Sequence, residues 1–325
     1  MEEDSPGEPH YLNGVLKMTK KAFVFPGQAS QYVGMGEDLY ENSNQAKKLY
    51  DFAEDLFKDF SLKKLSFKGP LKELTETKVT QPAIFLNSYA LFKEIEKECE
   101  PDGVAGHSLG EYTALAAAGA LTFEDGLRLV KVRSEQMQIA TENSAGTMAA
   151  IIGLDLETVE EALKELESYG ICVLANHNSH KQIVISGEIP AVQKAMLKMK
   201  DLGALRAIEL SVGGAFHSPL MESARQELKN ALDETNFKEP NYPVYSNVTG
   251  TPTSDPAEIR ERLNEQLTSS VLWVNTIENM INDDIREFIE IGPGKVLQGL
   301  IRRINKGVER KGLSEYKDLE NFTCE

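Results

Sequence analysis

Cysteine is scarce in this chain: Cys99, Cys172 and Cys324 are the whole supply, odd in number, far apart and without a C-x-x-C pair. That argues against a disulfide framework or a cysteine zinc site, and it predicts reduced thiols in a cytoplasmic protein. Long apolar runs are missing too. The longest, around residues 113–121, covers about ten residues against the roughly 20 that span a bilayer. The opening "MEEDSPGEPHYLNGVLK" is acidic and holds no apolar signal core, so no secretory segment is read there. Positive charge is in deficit: 35 Lys and Arg against 51 Asp and Glu leave −16 at pH 7, which argues against nucleic acid as a partner. Internal repeats and low-complexity tracts are absent as well.

What is present suits a globular α/β protein: 325 residues, 41% apolar and 26% charged. "KKAFVFPGQ" reads as a buried strand over 22–25 stopped by Pro26-Gly27. "TQPAIFLNSYALFKEIEKE" reads as a helix with Pro82 near its start and Ile84, Ser88, Leu91 and Ile95 on one face. "DGVAGHS" is a short strand, "LGEYTALAAAGAL" a helix, and "TFEDGLRLVKVRSEQMQIATE" a second helix capped by Thr122. The order then becomes strand, helix (155–169), strand, strand, helix (189–202), strand, which is the split βαβ pattern of a ferredoxin-like unit. Further helices and strands, among them "YPVYSNV" and "REFIEIG", close the chain. We therefore expect a large α/β subdomain over 18–144 and 211–307, a small ferredoxin-like subdomain over 145–210, a polar C-terminal tail over 308–325, and a tail or expression remnant over 1–17, with Met18 as an alternative start.

Ser108 stands between two glycines in "DGVAGHSLGEY", after a strand and before a helix. G-x-S-x-G in that setting is the signature of a nucleophile elbow, whose tight turn leaves no room for side chains beside the serine. The plainer reading is a helix-capping serine. A nucleophilic serine needs a base. His10 falls in the predicted tail, His107 adjoins the serine and must point away from it, and His177 and His180 read as surface residues. His217 in "GGAFHSPLM" is fixed at a helix entrance, with Ser218 as cap and Pro219 as first helical residue. Arg133 shares the apolar face of its helix with Val130, Met137 and Ala140, so it faces either an internal carboxylate or a substrate anion. Neither "FPGQASQYVGMG" nor "IGPGKVLQG" has nucleotide-loop spacing, but a strand-ending loop near the elbow could add a second oxyanion donor, with Gln28 the natural one.

Taken together, "FPGQASQYVGMG", "GHSLGEY", "VKVRSEQM", "GTMAAIIGL", "GAFHSPLM", "SNVTG" and "IEIGPGKVLQGLIRRI" resemble the malonyl-CoA:acyl carrier protein transacylases, from about residue 19 to 305. The resemblance implies a hydrolase-like α/β core with a parallel sheet and an inserted ferredoxin-like subdomain. It implies Ser108 as acyl-accepting nucleophile, His217 as base supported by Gln266, an oxyanion hole of the Gln28 and Leu109 amides, and Arg133 as grip for the malonyl carboxylate. It places His107, Asn176, Asn178, Phe216 and Asn247 around the cleft, and Phe216 before the histidine goes with malonyl rather than methylmalonyl selection. Ala29 departs from the family's P-G-Q-G-S, and at positive φ an alanine there costs about 1 kcal/mol.

The implied activity is malonyl transfer from malonyl-CoA to the phosphopantetheine thiol of acyl carrier protein through a malonyl-serine, with no metal or bound cofactor, in a monomer away from membranes. An acidic carrier protein must then dock on local positive charge. Lys295, Arg302, Arg303 and Lys306, with Lys181 beside them, are the candidates, the alternative being a solvated helix end that suits its own dipole. Rival readings are a serine hydrolase, which would support its histidine with Asp or Glu, a non-catalytic docking module, and a transacylase for another acyl group.

Overall fold

The computed structural model describes residues 19–324 and the backbone of 11–12 and 15–16. In chain order the strands are β1 (Tyr11–Leu12), β2 (Val15–Leu16), β3 (Lys20–Phe25), β4 (Gly103–Gly106), β5 (Gly146–Ile152), β6 (Cys172–Ser179), β7 (Gln182–Glu188), β8 (Arg206–Glu209), β9 (Val244–Tyr245), β10 (Pro252–Thr253), β11 (Ile285–Ile291) and β12 (Glu309–Leu313). β1 and β2 pair antiparallel. The rest of the predicted tail over 1–17, His10 included, lies outside the described residues.

β3 and β4 are buried almost end to end, as expected of parallel strands covered on both faces. They lie inside a six-stranded sheet ordered β10-β9-β4-β3-β11-β12, parallel throughout except for β10. Alternation along β3 feeds two cores. Phe23 and Phe25 join the helices Thr77–Ile95, Phe123–Asn143 and Glu222–Glu234 on one face, while Ala22 and Val24 join Trp273–Asn282 and Val296–Ile304 on the other.

The Thr77–Ile95 helix begins five residues before Pro82, so that proline is interior rather than near the start. An interior proline costs about 3 kcal/mol or more in an isolated helix. Here nearly every residue from Thr77 to Phe92 is buried, and packing on all sides offsets that cost and blurs the one-faced pattern read from the sequence.

The small unit is a four-stranded antiparallel sheet ordered β6-β7-β5-β8, with helices Leu156–Glu165 and Ile189–Asp201 packed on it through Val159, Ala162, Val192, Ala195 and Met199. The strand–helix–strand–strand–helix–strand order is the ferredoxin-like arrangement.

Two expectations for the chain end are overturned. Residues 309–313 are no tail: β12 pairs in parallel with β11, Glu287 to Glu309 through Ile291 to Leu313, and a 3-10 turn, Tyr316–Asn321, follows. β12 reads as polar because an edge strand bonds through its backbone and buries little beyond Leu313. Nor are all three thiols free, for Cys99 and Cys324 form a disulfide with Cα atoms 5.4 Å apart. A separation of 225 residues hid that proximity; Cys172 alone is unpaired.

Candidate active site

The β4-to-helix turn explains both glycines of the G-x-S-x-G stretch. A Cβ on Gly106 would lie 1.9 Å from the carbonyl carbon of Gly110, and one on Gly110 would lie 2.0 Å from the Phe25 carbonyl oxygen. Ser108 between them has φ 52°, a left-handed conformation that costs a non-glycine residue about 1–2 kcal/mol. Asn247 holds it there: its Oδ1 accepts from the Ser108 amide (2.6 Å) and its Nδ2 donates to the Gly106 carbonyl (2.6 Å). The strand predicted over 242–248 shortens to Val244–Tyr245 because Ser246 and Asn247 leave the ladder toward this turn.

His217 also has positive φ, 58°, just before the Ser218 cap and a 3-10 turn at Pro219–Met221 that leads into the Glu222–Glu234 helix. Its Nε2 lies 2.8 Å from Ser108 Oγ and its Nδ1 lies 2.8 Å from the main-chain oxygen of Gln266. A carbonyl only accepts, so Nδ1 carries the proton and Nε2 faces the serine hydroxyl as acceptor. Burial first, and then the nearby Arg133 charge, push the imidazole down to about 3, so it stays neutral over the physiological range.

Arg133 comes from the apolar face of the Phe123–Asn143 helix and is 1% exposed. It donates to Gln81 Oε1 (2.6 Å), to Ser108 Oγ (3.0 Å) and to Gln266 Oε1 (3.0 Å), and its guanidinium stands 5.5 Å over the Tyr112 ring. Among the described residues no carboxylate forms an ion pair with it, and its Nε has no partner. The internal salt bridge considered from the sequence is therefore not what this arginine makes. Its neutral partners leave a buried cation open to an anion.

Gln28 follows β3 in a loop pressed against the elbow, where a Cβ on Gly27 would meet the His107 carbonyl oxygen at 2.4 Å. Ala29 does have φ 82°, the conformation in which alanine is strained, and its amide donates to Gln31 Oε1 (2.8 Å). The amides of Gln28 and Leu109 find no acceptor among the described residues.

The remaining candidates divide. His107, half-buried, lies 2.7 Å from Asn178 Oδ1 through Nε2 and meets Trp273 edge to face at 5.5 Å, which ties the elbow to the small subdomain. Asn176 bridges to Val271 instead, and Phe216 is buried in the larger core. His177, read as a surface residue, is buried because β6 runs on to that bridge, its amide donating to the Val271 carbonyl (2.9 Å). His180 is exposed. Lys295, Arg302, Arg303 and Lys306 are exposed and have no carboxylate partner among the described residues, whereas Lys181 pairs with Asp155 at 3.3 Å. Arg303 donates to Gln182 of the small subdomain.

Two residues escaped the sequence reading: Gln81, on an apolar helix, and Glu111, in the first turn of the elbow helix, Gly110–Ala117. Both are polar side chains on otherwise apolar helical stretches, the one signal that could have found them. Glu111 Oε2 accepts from Gln266 Nε2 (2.7 Å) and from the Asn247 amide (3.2 Å), and burial pushes its carboxyl up to about 7.

The geometry can be set beside known proteins. The acyl transferase domain family matches residues 22–317. The malonyl CoA-acyl carrier protein transacylase of Bacillus subtilis (strain 168) is 43% identical over 305 residues, 93% of this chain and 96% of that protein. An acyl-carrier-protein-S-malonyltransferase from Bartonella henselae is 40% identical, with a TM-score of 0.87 over 93% of this chain and 98% of that one. A solved type II PKS acyl-carrier protein in complex with its malonyl-transacylase gives 36% identity and a TM-score of 0.89, again over 93% of this chain and 98% of that one. The chain therefore belongs to the acyl transferase family, in the branch of the malonyl-CoA–acyl carrier protein transacylases.

Proposed function

We propose that this protein transfers malonyl from malonyl-CoA to acyl carrier protein through an ester on Ser108. The observation that carries this is the line from the Gln266 carbonyl through His217 to Ser108 Oγ, with an unpaired buried Arg133 on that same oxygen. Ser108 attacks the thioester carbonyl while its proton passes to His217 Nε2, and the Gln28 and Leu109 amides receive the oxyanion. Losing one such donor costs about 2.7–4 kcal/mol of barrier. Collapse breaks the carbon–sulfur bond, and His217 returns the proton to the CoA sulfur. The carrier's phosphopantetheine thiol then attacks the malonyl ester by the reverse path, freeing Ser108 as its hydroxyl.

Arg133 leaves Ser108 to bind the malonyl carboxylate in two-pronged fashion, so an acetyl group, without that anion, leaves a buried cation unpaired. His107 and Asn178 shape the cleft wall in this reading, with Asn176 and Asn247 fixing its two sides. A hydrolase supporting its histidine by a carboxylate fits less well, because His217 leans on a main-chain carbonyl. All the steps run on groups of this chain and its two thiol-bearing substrates, in a monomer we place in the cytoplasm.

The carrier protein docks on Lys295, Arg302, Arg303 and Lys306, cations that a chain of net charge −16 leaves without acidic partners among the described residues. Gly294 packs beside Ser30, which sets the Lys295 end of that helix next to the Gln28 loop. Initial rates over a grid of malonyl-CoA and carrier concentrations test the scheme. Parallel double-reciprocal lines with malonyl-carrier as product are expected. Intersecting lines, or malonate as the main product, would contradict it.

A further inference from the structure

Glu111 is a buried ionisable group that the two-step chemistry leaves unused. It is 3% exposed and three residues past Ser108, and among the described residues it forms no ion pair. A lone buried carboxylate is costly to fold around. Its two hydrogen-bond donors, however, both belong to the site. Gln266 is engaged at every polar atom: Oε1 accepts from Arg133, the main-chain oxygen accepts from His217, and Nε2 donates to Glu111 and to the Ser108 carbonyl (3.0 Å). Asn247 holds the Ser108 amide and the Gly106 carbonyl. An ionised carboxylate only accepts, so Glu111 draws the nitrogen end of Gln266 to itself and turns the oxygen end toward Arg133.

We infer that Glu111 is a positioning residue for acyl transfer: through Gln266 and Asn247 its carboxylate aligns Arg133, His217 and Ser108, and it supplies at one remove the negative charge that the serine–histidine pair lacks. The inference rests on the roles given above to those three residues. As His217 takes the serine proton, Arg133 is held by the malonyl carboxylate, and Glu111 offsets the new imidazolium in a dry site.

The charged and titratable groups facing Glu111 are Arg133 from the Phe123–Asn143 helix, Tyr112 on its own helix and, beyond Gln266, His217. Arg133 stays charged, Tyr112 is pushed far up by burial, and His217 is neutral above about 3. Glu111 itself changes charge near 7, so acylation gains its aligned state as pH rises through neutrality.

The test is single-turnover acylation by saturating malonyl-CoA from pH 5 to 9, with melting curves, for the wild type, Glu111→Gln and Glu111→Asp. Glu111→Gln is expected to melt no lower than the wild type, to acylate about 10- to 100-fold more slowly with little change in the malonyl-CoA concentration needed, and to lose the rise through neutral pH. Glu111→Asp keeps the charge, so it should keep that rise at an intermediate rate. A wild-type rate and profile in Glu111→Gln would overturn the inference. So would lowered melting in both variants with a rate loss matching the unfolded fraction, the mark of a merely structural group. Ser108→Ala runs alongside; acylation of that variant would overturn the reading of Ser108 itself, whatever Glu111→Gln does.

Discussion

Glu111 and Glu290 occupy matching places, each buried where a parallel strand of the same sheet hands over to a helix, and each with its carboxyl pushed above the usual range by burial. They differ in what they hold. Glu290 accepts from the Leu297 and Gln298 amides (2.9 and 3.0 Å) and from Gln298 Nε2 (3.2 Å), closing the open end of the Val296–Ile304 helix. Glu111 spends its bonds on Gln266 and Asn247, which pass them on to Arg133, His217 and Ser108. One carboxylate completes a helix, where the dipole and unpaired N–H groups favour an anion. The other completes a site. The same chemistry at the same kind of junction is thus given its role by the donors around it.

The largest effect that sharpens the contrast lies at the elbow itself. His217→Ala should slow acylation on the order of 10⁴-fold while the Glu290 junction stays intact, as single-turnover rates and melting curves would show. Arg133→Ala comes next: kcat/KM for malonyl-CoA is expected to fall about 10²- to 10³-fold and that for acetyl-CoA far less, narrowing the preference. Glu290→Ala should do the reverse of the Glu111 variants. It leaves two helix amides without an acceptor, at about 1–3 kcal/mol of stability, with acylation unchanged. Slower acylation there, at wild-type stability, would erase the distinction between the two junctions.

A pH series adds a further check. The folded pKa of Glu111, about 7, lies above the ordinary carboxyl value of 4.5, so its contribution to stability is whole below 4.5 and is lost as pH rises through 7. Between pH 5 and 8 the melting temperature of Glu111→Gln should therefore rise relative to the wild type. The smallest effect belongs to the surface. Added salt should raise KM for acyl carrier protein but not for malonyl-CoA, and the Arg302→Ala, Arg303→Ala pair should flatten that dependence.

The legible part of the site was the part that local backbone demands. Gly106 and Gly110 are needed by contacts under 3 Å, Ser218 and Pro219 mark a helix entrance, and Arg133 is a charge on an apolar face; each leaves a trace within a few residues. Gln81 and Glu111 leave only a polar letter in an apolar stretch, because their partners lie 52 and 155 residues away. The parallel core and the ferredoxin-like insert showed through strand runs and element order. β12 did not, since an edge strand bonds by its backbone and carries no apolar period, and the Cys99–Cys324 pairing depends on where that edge brings the chain end. The buried setting of His177 depends likewise on a bridge to Val271 that the sequence does not announce.

The central claim is that Ser108 carries the acyl group between two thiols. Radiolabelled malonyl-CoA mixed with the protein in the absence of carrier, quenched in acid and counted on wild type and Ser108→Ala, addresses it directly. Near-stoichiometric label is expected on the wild type, none on Ser108→Ala, and discharge of the label onto added acyl carrier protein. Free malonate with no retained label, or equal label on both proteins, would contradict it.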